Sequence, residues 1–103
     1  MLANIIDNGI RALGEKEDED KRLYLDISEQ ENKYSIHIYN NGPPIPHYYL
    51  RDIFKEGFST KKEEGHGIGL FVAKTIIEKV GGTIEAASNR EKTYFSIELP
   101  KSL

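Results

Sequence analysis

Residues 65–70, Gly65-His66-Gly67-Ile68-Gly69-Leu70, alternate three glycines with single side chains and then enter an apolar helical pattern. Such a run suits a loop whose backbone N–H groups close on an anion, because glycine permits approaches that a Cβ would block. A helix N-terminus behind it adds unpaired N–H groups and a partial positive charge, both favourable to phosphate. As a glycine run alone it is equally a flexible turn. A second set of polar residues stands near the start of the chain. Asn4, Asn8 and Arg11 recur at i, i+4 and i+7, a stripe on one helix face. Asn is a poor helix former because its amide competes for backbone hydrogen bonds, and a solvated face would more often carry Glu and Lys. Amide oxygens and a guanidinium on one face can serve a phosphate–metal cluster: Mg²⁺ takes hard oxygen ligands, and Arg matches phosphate oxygens.

The elements that must position these groups follow from periodicity. Residues 2–13 read as an amphipathic helix with Leu2, Ile6, Gly9 and Leu13 on its apolar stripe. Residues 14–22 are a charged connection whose acidic run, Glu17 to Asp20, is a solvated loop. Residues 23–29 and 33–39 alternate, Leu23, Leu25, Ile27 and Tyr34, Ile36, Ile38 sharing one side, and make a hairpin with one buried face. His37 lies on its polar side. Asn-Gly and two prolines in 40–46 stop the strand, leaving Asn40 just past its end. Residues 47–56 resume a helical pattern with Tyr49, Leu50, Ile53 and Phe54 inward. Gly57 to His66 is a glycine-flanked polar stretch of the kind used as a lid, within a lid region of about 43–66. Residues 69–80 form a second helix with Leu70, Ala73, Ile77 and Val80 inward, stopped by Gly81-Gly82. Residues 83–87 and 93–99 make the second hairpin, ended by Pro100. The order predicts an α+β fold, a two-layer α/β sandwich with a mostly antiparallel or mixed sheet and helices on one face.

Composition bounds the function. The 103 residues allow one domain, 1–103. A net charge of -3 supplies no basic field for nucleic acid. The absence of Cys excludes disulfides and Cys-based metal sites, and the three His show no ligand spacing. No apolar run approaches the roughly 20 residues that span a bilayer, and no signal peptide is visible. The expected setting is cytoplasmic, without direct membrane contact. A helical pattern already under way at Leu2 reads as an N-terminally truncated piece of a longer protein.

Five segments in order carry a resemblance. Residues 4–12 (NIIDNGIRA), 40–45 (NNGPPI), 53–61 (IFKEGFSTK) and 65–70 (GHGIGL) resemble the N, G1, F and G2 boxes of the catalytic and ATP-binding domain of sensor histidine kinases. Residues 93–100 resemble that family's closing strand. This is the Bergerat fold, shared with gyrase, mismatch-repair and heat-shock chaperone ATPases. The F box is similar to that of the citrate- and dicarboxylate-sensing kinases.

The resemblance implies ATP and Mg²⁺ as ligands. It makes Asn8 the side-chain Mg²⁺ ligand, with Asn4 one turn earlier and Arg11 and Lys61 as phosphate contacts. Asn40, with Gly42 and Ile45 of the same turn, and Thr93 would hold adenine. Gly65, His66, Gly67, Ile68, Gly69 and Leu70 would border the triphosphate, and Phe54 and Phe58 would anchor the lid. The implied reaction is γ-phosphoryl transfer to a histidine on a separate dimerisation domain, with a response regulator as indirect partner. Asn4 stands where hydrolysing relatives have a Glu that activates water, which favours transfer over hydrolysis. Two positions depart from the pattern: Asn40 replaces the usual Asp, and Pro44 the second G1 glycine. They leave open a domain that has lost nucleotide affinity and serves as a docking module. An anti-sigma-type serine kinase on the same fold is the other alternative.

Overall fold

The computed structural model describes residues 2–56 and 69–101. Its elements are α1 (Leu2–Gly14), β1 (Leu23–Glu29), β2 (Lys33–Asn40), α2 (His47–Leu50), α3 (Gly69–Lys79), β3 (Thr83–Ser88) and β4 (Thr93–Pro100). The strands form one antiparallel sheet in the order β1-β2-β4-β3. Period-2 alternation gives the sheet two unlike faces. The inner face carries Ile36, Ile38, Ile84, Phe95 and Ile97, which form the core with Ile5 of α1 and Ala73 and Ile77 of α3. The outer face carries Asp26, His37, Tyr39, Tyr94 and Ser96. The predicted α+β sandwich with helices on one face is the fold observed.

Several local expectations are corrected. The buried stripe of α1 is Ile5, Gly9 and Leu13; Leu2 and Ile6 are only partly buried against the core. Both stripes satisfy helical spacing, and the direction from which α3 and the sheet approach selects between them. The first hairpin does not have one buried face throughout. No residue of β1 is buried, with Leu25 at 50% and Ile27 at 55% exposed, and Tyr34 is exposed too. The alternation is real, but β1 is an edge strand and the helical layer reaches it only near Leu23, beside Gly9. Over 47–56 only the first four residues are helical. Turns bonded Asp52 N–H to Tyr49 O and Lys55 N–H to Asp52 O follow, and Ile53 is buried as expected. α3 closes one residue early, and Val80 is half-buried.

Gly81-Gly82 ends α3 as the sequence predicts, and the geometry shows how. Gly81 adopts φ +83°. Its N–H reaches Glu78 O at 3.0 Å, and the Gly82 N–H reaches Ile77 O at 2.8 Å. This is a Schellman cap, which needs a left-handed residue at its first position. The 14–22 connection is pinned by Asn41: Oδ1 accepts from Arg22 N–H at 2.6 Å and Nδ2 donates to Asp20 O at 2.7 Å. The acidic run Glu17 to Asp20 is exposed throughout, and no cluster of three or more His, Cys, Asp or Glu that could hold a metal ion occurs among the described residues. No helix among them is long and apolar enough to cross a membrane.

Candidate functional site

Moving along the inner face of the sheet, two cross-strand rows are apolar and the third is polar. The first is Ile27–Ile36–Ile97–Ile84, and the second is Leu25–Ile38–Phe95–Ala86. The third is Leu23–Asn40–Thr93–Ser88. Asn40 is 2% exposed and Thr93 3%. Buried polar side chains must find partners, and these do. Asn40 Oδ1 accepts the Gly42 N–H at 2.9 Å. Thr93 Oγ1 lies 2.6 Å from Ser88 Oγ, and Ser88 Oγ accepts the Ile45 N–H at 2.8 Å. No buried side-chain polar atom among the described residues is left unpaired. Asn40 is therefore the last paired residue of β2, not a residue beyond its end.

Helix α1 forms the wall over this row. Asn4, Asn8 and Ala12 follow one another at i, i+4 and i+8 along it. A Cβ added to Gly69, at the start of α3, would meet the Asn4 side chain at 3.8 Å. A Cβ on Gly42 would fall 3.2 Å from the Ala12 backbone and 2.9 Å from Asn40 Oδ1. The two glycines thus abut the two ends of the line that has the half-buried Asn8 at its middle. Gly42 is required by this close approach and not by a positive φ. Gly42→Ala is expected to push the 40–46 turn off α1 and cost about 2 kcal/mol, as overpacking does, readable as a lowered denaturation midpoint in urea.

The remaining expected site residues divide plainly. Arg11 is exposed and its Nε pairs with Asp7 at 2.8 Å, one helical turn away. Ile45 and Leu70 pack partly against the core. Phe54 meets Phe95 edge-on at 6.1 Å between centroids, and Lys74 Nζ lies 5.2 Å from the Phe54 ring centre. The base of the 43–66 region is therefore held by core packing. The Asp52–Lys55 hydrogen bond in that base holds the Asp52 carboxyl below the usual range. A depressed carboxyl favours the folded state above its unfolded pKa, so this contribution fades as pH falls through the folded value. Pro44 is exposed. Phe58, Lys61, Gly65, His66, Gly67 and Ile68 lie outside the described residues.

Ser88 is the residue the sequence reading missed. The sequence pattern ends the strand at Ala87, but the Asn89 N–H donates to Lys92 O and Ser88 stands opposite Thr93. Counting the register back from Thr93 across that turn would have found it. A cavity of about 370 Å³ lined by His37, Tyr39, Lys92 and Tyr94 opens on the outer sheet face. It lies opposite Asn40 and Thr93 and is not part of this site.

An antiparallel sheet with helices on one face, and a polar row under a helix that Gly42 and Gly69 abut at its two ends, is the architecture of the Bergerat fold. The chain belongs to the family described as "Histidine kinase-, DNA gyrase B-, and HSP90-like ATPase", which matches residues 1–103. Among curated proteins it is 38% identical over 102 residues to a "Probable C4-dicarboxylate sensor kinase" of Halalkalibacterium halodurans, covering 98% of this chain and 19% of that protein. It is 32% identical over 102 residues to the C4-dicarboxylate transport sensor protein DctB of Rhizobium meliloti, covering 99% of this chain and 16% of that one. The chain thus spans about a fifth or less of these relatives. Among solved structures, the nucleotide-free catalytic domain of histidine kinase ThkA superposes with a TM-score of 0.73 at 32% identity, over 96% of this chain and 67% of that one. ThkA in complex with the response regulator protein TrrA superposes with a TM-score of 0.77 at 29% identity, over 98% of this chain and 27% of that one. The chain is a histidine-kinase-type catalytic domain, and its family implies ATP binding.

Proposed function

We propose that this domain binds Mg-ATP with adenine against Asn40 and Thr93 and the phosphates between α1 and the start of α3. From there it gives the γ-phosphoryl group to a histidine on a separate dimerisation domain, in the cytoplasm, with a response regulator as the next acceptor. The observation that carries this reading is the line Asn4–Asn8–Ala12, abutted by Gly69 and Gly42 and standing over a buried polar row. It joins a polar floor to a hard-oxygen donor and a helix N-terminus.

Each residue then has a role. The Asn40 Oδ1 has one lone pair on Gly42 N–H, which leaves a second for the adenine amino group; Asn is a good partner for adenine. Its amide fits the site without burying a charge. Asn8 would hold Mg²⁺ through its amide oxygen, and the ion would neutralise phosphate charge. The N-terminal N–H groups of α3 favour the phosphates. Asn4 has no basic group to activate water. In the transfer step the bond from the γ-phosphorus to the bridging oxygen breaks, a histidine ring nitrogen bonds phosphorus, and ADP leaves. Positioning and charge stabilisation carry such a reaction. The region 43–66 acts as the lid.

Two measurements test the reading. Calorimetric titration with ATP and Mg²⁺ is expected to give saturable heat; none at millimolar nucleotide would favour the docking-module alternative. With labelled ATP, the 103-residue chain is expected to stay unlabelled at His alone and to label an added histidine-bearing helical domain. Labelling of a serine in a protein substrate instead would point to the anti-sigma type of kinase.

A further inference from the structure

We propose that the free edge of β1 is a docking surface for a second copy of this chain, which adds its own β1 antiparallel with Leu25 opposite Leu25. Strand β1 pairs on one side only, with β2. The bonds that flank it set which backbone groups face which way. The Gln30 N–H reaches Lys33 O at 2.8 Å, and the Asn41 N–H reaches Arg22 O at 3.2 Å. Hydrogen-bonded pairs alternate along an antiparallel ladder, so Tyr24, Asp26 and Ser28 turn their N–H and C=O to β2. Leu23, Leu25, Ile27 and Glu29 turn theirs to the open edge. Sheet edges are ordinarily blunted by a proline, a lysine, a bulge or a cover. The run LYLDISE has neither proline nor lysine, and its register with β2 skips no residue. The two edges of the sheet also differ in cover. Helices α2 and α3 pack against β3, where Ile84 is buried, whereas the inner-face side chains of β1 stand exposed.

The strand is complementary to itself in one register. Both copies offer the same alternate residues, so their edges can bond only with odd-numbered residues opposite odd-numbered ones; a slip by one residue forfeits the ladder. Among the registers left, a two-fold axis through Asp26 brings two carboxylates face to face, which is destabilising. An axis through Tyr24 sets Ile27 against the partner's Lys21. An axis through Leu25 sets Leu23 against the partner's Ile27, Tyr24 against the partner's Asp26, and Lys21 against the partner's Glu29. No like charges then face one another along the strand. Glu29 Oε1 accepts from Lys101 Nζ at 2.6 Å, which leaves Oε2 for the second lysine. Each odd-numbered pair exchanges both of its N–H···O bonds. The leucines and isoleucines of the two copies lie side by side on the inner face, because the period of 2 keeps them on one side. The interface is isologous and closes at two copies, with one sheet running through both.

The test is sedimentation equilibrium of the 103-residue chain over a wide concentration range, with thermal melting alongside to report folding. A seven-residue edge makes a small interface, so the dimer is expected to dissociate at roughly 10–100 μM. Ile27→Lys places a charge on an exposed position of the edge and is expected to raise the dissociation constant at least about tenfold. Leu25→Pro removes an N–H that points to the open edge and leaves the β1–β2 bonds in place; it is expected to give a folded monomer. Lys21→Glu alone is expected to weaken the dimer about threefold, and Lys21→Glu combined with Glu29→Lys to restore it. A wild-type chain that stays monomeric to millimolar concentration overturns the proposal, and the edge then serves another partner. A dimer that persists unchanged in Ile27→Lys and Leu25→Pro uses a different surface and overturns it too, as does association that continues past two copies. Should Leu25→Pro fail to fold, Ile27→Lys decides alone. Failure of the Lys21→Glu, Glu29→Lys pair to restore the dimer overturns the register.

Discussion

Asn8→Ala is expected to lower phosphoryl transfer to the histidine-bearing domain by about hundredfold or more, the loss typical of removing one preorganised charge-stabilising group, while leaving the fold at least as stable. The two halves of the prediction have separate causes. Asn8 sits mid-helix in α1, half-buried, facing neither core nor bulk solvent. Alanine is a better helix former than asparagine by roughly 0.6 kcal/mol, so stability should hold or rise slightly. The amide oxygen, in contrast, has no substitute among its helix neighbours Ala12 and Asn4 at the same point of the line. The measurement is a pair: melting temperature, and transfer rate at saturating ATP across a Mg²⁺ titration. Unchanged transfer with a stabilised fold would show that Asn8 is only a tolerated poor helix former. Lost transfer together with lost stability would make it a packing residue.

Gly82→Ala is expected to be the most destabilising glycine-to-alanine substitution among the described residues. A Cβ there would lie 2.5 Å from the Glu98 carbonyl oxygen and 3.0 Å from both Ile77 Cγ2 and Leu99 Cδ2. The first of these is strand backbone and cannot step aside without breaking the β3–β4 ladder. Gly82 N–H also completes the cap on Ile77 O, so the residue cannot move away. We expect a loss of about 3 kcal/mol, at the upper end for overpacking, and a melting temperature lower by roughly 12–24 °C for a domain this size. Gly14→Ala is the control. Nothing lies within 4 Å of a Cβ at Gly14, and its φ is not positive. The same methyl there should be neutral or stabilise by up to about 1 kcal/mol. Equal effects at the two positions would remove the steric account.

The candidate site was legible where its signals are local. Asn4 and Asn8 stood out because asparagine at helical spacing is intrinsically unfavourable and needs a reason. Asn40 and Gly42 stood out because Asn-Gly before two prolines can only be a turn. Thr93 needed the family pattern, since a threonine in a strand is unremarkable by itself. Ser88 escaped because its importance lies in register, which depends on the Asn89–Lys92 turn geometry and not on any property of serine. Arg11 stands on the Asn stripe by its spacing, and the structure pairs its Nε with the exposed Asp7 one turn earlier.

The sequence by itself determined the element types, the strand alternation, the α3 stop at Gly81-Gly82 and the family. All of these follow from periods of 2 and 3.6 and from turn chemistry, which act over a few residues. Only the tertiary structure decided which apolar stripe of α1 is buried, since Ile5 and Ile6 both satisfy the spacing and the approach of α3 and the sheet breaks the tie. It also decided that β1 stands uncovered at the sheet edge, because alternation records which way side chains point and not whether a helix lies above them. The same holds for the row Asn40–Thr93–Ser88. Asn40 lies far in sequence from Ser88 and Thr93, and the three form one polar floor only when antiparallel pairing sets them abreast.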